Sequence, residues 1–378
     1  MVRRVAVILR LGLTCTAAAA CAAPPAEAPY RYAPPMVTDD GWASATLADA
    51  GIAEAPVTAM VNDIRAGRYE NIHSVLLARD GRLVLEEYFA GYDRDRLHEL
   101  HSVSKSVTTI LVGIAVDQGL IRDPDAPVRD YFPDYPDRRW VAEGYDITVR
   151  HLLTMSAGVE WNEERYPLDD NRNPIVAMLE SDDWVGFVLD RPRVGEPGRT
   201  VTYGGGFTVL LGEIVHRASG LPVDAFAETY LFAPLGITDY AWHRHRDGTI
   251  NTQGGLALRP RDMAKIGQMM LDGGVYQGRR VVSQAWVDAA TSTHLPRAPG
   301  GFGYGYQWYR VSAEICGTPV SGFAAIGRGG QYIIAAPALD LLAVFTSEPY
   351  DNRERLYLPL ELVRDIILPA LRRPALCP

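Results

Sequence analysis

Apolar positions recur every three or four residues around Val57–Ala66, and that spacing predicts a helix. The period then shortens. "SVLLARDGRLVLEEYFAGY" carries two apolar, partly β-branched runs on either side of Asp80-Gly81. Asp-Gly tolerates the positive φ of a tight hairpin turn, so two antiparallel strands are expected there. From Ser102 to Gln118, "SVSKSVTTILVGIAVDQ" is apolar on nearly every side, and Gly119 stands where a helix C′ residue belongs. Its length predicts a helix despite the Val, Thr and Ile it contains. A helix apolar all round is a buried one.

Residues 121–250 hold Pro-rich turns ("DPDAP", "FPDYP") and short helical patterns, "VRHLLTMSAG" and "GFTVLLGEIVHRASG", with few convincing strands. The C-terminal third changes character. "GYGYQWYRV", "GTPVSGFAAIG" and "QYIIAAPALDLLAVFTS" read as strands, the last broken by a turn at Pro337–Asp340. "DNRERLYLPLELVRDIILPAL" reads as a closing helix interrupted or started at Pro359. Strands near both ends and helices between them predict an α+β fold: one antiparallel sheet built from both chain ends, flanked by helices, with a mostly helical insert. The sheet parts span about residues 39–100 and 255–378, and the helical part about 101–254. No internal repeat is apparent.

Composition narrows the function. The chain has 378 residues, 47% hydrophobic and 22% charged, an ordinary globular mixture. Arg3 and Arg4 precede an apolar stretch too short to span a bilayer comfortably, and small residues surround Ala20-Cys21-Ala22. Residues 1–22 therefore read as a removed export signal, which implies a periplasmic or secreted protein with no integral span after removal. An N-terminal membrane anchor and a lipid on Cys21 are the alternatives. Ala18 stands where a lipidated cysteine usually has leucine three positions earlier. Residues 23–38, rich in Pro and Ala, read as an extended lead-in rather than a packed element, ahead of one domain over 39–378.

Loss of the signal removes three arginines and no acid, taking the formal charge from −9 to −12. Such a chain without a basic run is a poor partner for nucleic acid or anionic membranes. Cys316 and Cys377 remain, as a bridge tying the tail to a strand or as two thiols; both stay open. There is no CxxC pair, and His243 and His245 read as a solvated loop, so no metal and no cofactor are expected. The oligomeric state is not legible.

"HSVSKS", residues 101–106, carries the candidate chemistry. Residues i and i+3 share a helix face, so Ser102 and Lys105 can touch. A serine hydroxyl needs a base to attack a carbonyl, and an ammonium cannot be one. Lys105 would need a pKa well below its ordinary ~10.4, which burial at the head of an apolar helix favours. The alternative is a serine N-cap beside a solvated lysine.

Taken in order, "HSVSKSVTTILVGIAVDQG", "VRHLLTMSAGVEW", "VTYGGGFTVLLGEIV", "GGLALRPRDMAKIGQMML" and "GRGGQYI" resemble the serine β-lactamase-like superfamily. That group includes class C β-lactamases, penicillin-binding peptidases, esterases and 6-aminohexanoate-dimer hydrolases. The resemblance covers about residues 40–365. It implies Ser102 as the acylated nucleophile, Lys105 as its partner, and Tyr203 as base or acid, its phenol lowered in pKa beside two cations. Arg328-Gly329-Gly330 matches the family's K-T-G or H-x-G strand, with Arg328 steering a substrate carboxylate and the glycines admitting substrate against the backbone. The N–H groups of Ser102 and Gln331 would form the oxyanion hole.

The departures are informative. Gly205 stands where the family often has asparagine, which implies a wider, less polar floor. No E-x-x-L-N element occurs, and Glu163 and Glu164 are expected at the surface. Tyr166 is a candidate substrate contact on a loop, aromatic packing being the alternative. The resemblance implies a hydrolase of small or peptide-like esters or amides with weak β-lactam turnover. A β-lactamase or D-alanyl-D-alanine peptidase, and a non-turnover penicillin-type binding domain, are the alternatives.

Overall fold

The structure, a computed structural model, describes residues 29–295, 301–348 and 356–372. The expected signal, residues 1–22, and Cys377 lie outside the described residues. Cys316 is disulfide-bonded, which excludes a free thiol there.

Asp80 (φ 50°) and Gly81 (φ 70°) both adopt the positive φ that the hairpin demanded. The flanking strands Ile72–Arg79 and Arg82–Tyr88 pair antiparallel, with Arg79 opposite Arg82. Beside Ile72–Arg79 lies Leu341–Ser347, its Leu342 opposite Ala78. Next come Gln331–Ala336, Thr318–Gly327, Tyr309–Ile315 and Gly303–Tyr304, all antiparallel. Ala43–Ser44 completes the eight-stranded sheet at the other edge, paired parallel to Arg82–Leu83, so the sheet is mixed at that edge. The sheet is thus assembled from both ends of the chain, as the pattern predicted. Two details differ. "GYGYQWYRV" is two strands rather than one, because Gln307 turns the chain at φ 57°. Its side chain faces inward, accepting from Thr208 Oγ1 at 2.8 Å and donating to the Leu152 carbonyl at 3.2 Å. The lead-in is also packed where it is described. Tyr30 is 9% exposed and donates to Glu87 at 2.6 Å, while Tyr32 donates to the Val84 carbonyl at 2.9 Å. Two aromatic side chains in a Pro/Ala stretch supply the apolar area that holds it down.

The expected helices are Glu54–Arg65, Val103–Asp117, Val149–Leu153 and Gly205–Ser219, the last ended by left-handed Gly220. The closing helix starts at Leu358 with Pro359 in its first turn and continues as a wider π turn, Val363–Ile367. Every residue from Val103 to Ala115 is buried. That helix lies between Gly205–Ser219 on one side and strands Thr318–Gly327 and Gln331–Ala336 on the other. A three-stranded sheet not foreseen from sequence joins His98–Glu99, Leu256–Leu258 and Tyr240–Trp242. It clamps the chain just before Ser102 against the chain just after Gln253.

Candidate active site

Ser102 begins the buried helix in helical conformation (φ −67°, ψ −7°), and its side chain makes no capping hydrogen bond. The cap reading therefore fails. Ser102 Oγ instead accepts from Lys105 Nζ at 2.9 Å and shares a hydrogen bond with Tyr203. The residue before it, His101, is held at φ 45°, a strained conformation for a side-chain-bearing residue. That kink follows from the clamp: Leu100 N–H donates to the Leu256 carbonyl at 2.8 Å, and the chain must then turn sharply into the helix.

Lys105 is 2% exposed. Its Nζ donates to the Gln253 carbonyl at 2.7 Å and to Gln253 Oε1 at 3.1 Å, and lies 5.0 Å from the Tyr203 ring centre. Burial drives its pKa down to about 8, against the opposing pull of the Glu163 carboxylate. Burial pushes the Tyr203 phenol well above its ordinary range, Glu163 pushes it further, and only the bond to Ser102 opposes them. The expectation of a lowered phenol pKa is thereby corrected: desolvation and the Glu163 carboxylate outweigh the hydrogen bond to Ser102.

Glu163 is the largest correction. It was expected at the surface. Its Oε1 instead accepts from the Gly205 N–H at 2.5 Å and from Trp161 Nε1 at 2.8 Å. Gln253 was missed altogether, since nothing in its local pattern marks it. Its amide sits against Gly205: a Cβ added at Gly205 would lie 2.9 Å from Gln253 Oε1 and 2.7 Å from Ile175 Cδ1. The floor at Gly205 is therefore neither wide nor apolar. An amide from another part of the chain fills it.

Arg328, Gly329 and Gly330 form the turn between Thr318–Gly327 and Gln331–Ala336 rather than a strand, with φ 79° and 86° at the two glycines. The rigid close approach is one residue earlier, where a Cβ on Gly327 would lie 2.3 Å from the Leu100 carbonyl oxygen. Arg328 is exposed, and its charge reaches His101, the residue before Ser102. Gln331 is fully buried and pairs with Gly327, and its side chain donates to the Ser347 carbonyl at 2.5 Å. Its side chain is thus a structural tie between two strands. Pairing with Tyr309–Ile315 ends at Ala324, which leaves the stretch Ala325–Gly327 as a strand edge unpaired on that side among the described residues. Tyr166 lies on a loop, with the guanidinium groups of Arg165 and Arg172 over its ring at 5.3 and 4.5 Å.

The Beta-lactamase family profile matches residues 71–362. The chain belongs to the Beta-lactamase family. It is 31% identical over 302 residues to the 6-aminohexanoate-dimer hydrolase of Paenarthrobacter ureafaciens, covering 71% of this chain and 70% of that one. It is 30% identical over 158 residues to Esterase EstB of Burkholderia gladioli, covering only 38% of each. Among solved structures, EstCE1, a hydrolase with promiscuous acyltransferase activity, matches with a TM-score of 0.65 at 17% identity, over 85% of this chain and all of the other. Simvastatin Synthase from Aspergillus terreus matches at 0.63 and 19%, over 83% and 98%. At those identities the structural likeness speaks for the fold. With the family established, the chain is a serine hydrolase of the β-lactamase-like superfamily. No helix among the described residues is long and apolar enough to cross a membrane.

Proposed function

We propose that this protein is an exported hydrolase that cleaves small or peptide-like esters or amides through an acyl-Ser102 intermediate. The observation that carries the reading is a fully buried lysine, 2.9 Å from the serine oxygen, with its pKa brought to about 8. At pH 7 about one Lys105 in ten is then neutral. The neutral amine takes the Ser102 proton as Oγ attacks the carbonyl carbon. The Ser102 N–H and an N–H from the unpaired edge at Ala325–Gly327 receive the developing oxyanion. Tyr203, kept protonated, gives its proton to the leaving oxygen or nitrogen as that bond breaks, and recovers the one that the neighbouring Lys105 ammonium took from Ser102. Water then attacks the acyl carbon and frees the acid and Ser102. An alcohol in place of water would give acyl transfer, the activity named for EstCE1. Arg328 supplies fixed positive charge for an anionic part of the substrate.

The test is turnover of short-chain p-nitrophenyl esters, a chromogenic cephalosporin and short linear amides, with Ser102→Ala as control. Ester turnover that vanishes in Ser102→Ala is expected. Acylation of Ser102 without turnover would replace the reading with a binding domain. Cephalosporin rates above ester rates would replace it with a β-lactamase.

A further inference from the structure

Two things hold Glu163 in place. Its backbone carbonyl accepts from Asn173 Nδ2 at 2.9 Å, and Asn173 is fully buried. Its carboxylate accepts from Gly205 and Trp161. Trp161 is wedged into the same glycine run: a Cβ on Gly206 would lie 2.5 Å from its ring, and one on Gly204 would lie 3.0 Å away. Carboxylate and indole together therefore grip the segment immediately after Tyr203. Gly205 is two residues from Tyr203 in the chain, and it opens the helix Gly205–Ser219.

We propose that Glu163 is a positioning residue for acylation: its carboxylate fixes the Tyr203 segment through Gly205 and supplies the negative charge that balances Lys105. The proposal rests on the reading of Ser102 as nucleophile. The groups facing Lys105 among the described residues are Ser102, Gln253, Tyr203 and Glu163, and its charge also reaches His101. Tyr203 faces Ser102, Lys105 and Glu163, and its own charge would reach Tyr304 and Tyr309. Among the described residues, Glu163 is the acid whose charge reaches both members of the proton-transfer pair. There it favours the lysine ammonium and disfavours a tyrosine phenolate. It thus sets how much neutral amine is present at a given pH and keeps Tyr203 a donor.

The test is the pH profile of kcat/KM for an activated ester in three variants. Glu163→Gln keeps an acceptor for Gly205 and Trp161 but loses the charge. Its acidic limb should move down by about half to one pH unit, giving a three- to tenfold higher fraction of plateau activity at pH 6. Glu163→Asp keeps the charge but shortens the reach, so the limb should stay and the plateau kcat should fall. Glu163→Ala should lose both, with a lower melting temperature. A limb unmoved in Glu163→Gln, with only the plateau or the melting temperature reduced, would overturn the proposal and leave Glu163 a cap. Retention of activity in Ser102→Ala would sink the underlying reading instead, whatever the Glu163 variants did.

Discussion

Placing asparagine at Gly205 brings two amides into competition for one space. The new Cβ would lie 2.7 Å from Ile175 Cδ1, 2.9 Å from Gln253 Oε1 and 3.2 Å from Gln253 Cδ. Ile175 is 4% exposed and has little room to retreat. Overpacking of that kind costs ~1–3 kcal/mol. If Gln253 swings away to relieve it, Lys105 loses an acceptor at 3.1 Å but keeps the Gln253 carbonyl at 2.7 Å. Hydrogen bonds to a charged group are worth ~1.5–3 kcal/mol. Gly205→Asn alone should therefore destabilise by ~2–4 kcal/mol and slow ester turnover. Gln253→Ala alone should cost ~1.5–3 kcal/mol. The double variant empties the space the asparagine needs and gives Lys105 an amide again, so it should be more stable than the sum of the singles by at least ~1.5 kcal/mol. Urea denaturation of the four proteins of this cycle measures the coupling, and ester hydrolysis reports the lysine. Any gain in cephalosporin turnover relative to ester should show in the double variant and not in Gly205→Asn. Single effects that add within ~0.5 kcal/mol, or a Gly205→Asn protein as stable as the parent, would refute the idea that Gln253 occupies the asparagine's place.

Arg261 is 5% exposed and donates to Glu86 at 2.5 and 2.7 Å, to Asp40 at 2.8 Å and to the Met36 carbonyl at 2.7 Å. Arg261→Ala strands a buried Glu86 and should cost ~3–5 kcal/mol by urea denaturation, with residues 29–38 opened to protease; a loss below ~1 kcal/mol would contradict this. A second prediction concerns acid stability. His98 Nδ1 must donate to the Glu99 carbonyl at 3.1 Å, so its Nε2 accepts from His73 Nδ1 at 2.9 Å, and burial brings the His73 pKa down to about 4. The unfolded chain binds that proton near pH 6.5, so stability is lost as pH falls from about 6.5 to about 4, by up to ~3 kcal/mol. His73→Phe should flatten that slope in urea melts across the window, and an unchanged slope would show that other groups carry it.

The Ser102–Lys105 pair was legible because helix spacing is local: three residues along one face needs no knowledge of the rest of the chain. The hairpin was legible for the same reason, since Asp80-Gly81 carries its own backbone preference. Tyr203 became visible only through resemblance, and its protonation was misjudged because desolvation is a property of the folded surroundings. Gln253 and Glu163 were beyond reach. Gln253 comes from the chain preceding Leu256–Leu258, a strand too short to give an alternating pattern. Glu163 sits in a run of polar residues, "NEER", that reads as solvated until the tryptophan two positions before it is seen packed on the glycines. The split at Gln307 was hidden because a turn residue whose amide points inward looks, in sequence, like a polar position on a strand.

The central place of Leu341–Ser347 has a consequence for synthesis. Its neighbours are Ile72–Arg79, made early, and Gln331–Ala336, made just before it. A chain still emerging from the ribosome has its N-terminal hairpin finished and the partner of that hairpin not yet translated. Closing so long a loop is slow, and an edge strand left waiting is a template for pairing with other chains. The nucleophile helix rests on the two strands that follow Ile315, so Ser102 and Lys105 lack their supporting wall until nearly the whole polypeptide exists. A prematurely terminated product would carry the serine, the lysine and the tyrosine, yet have no assembled site.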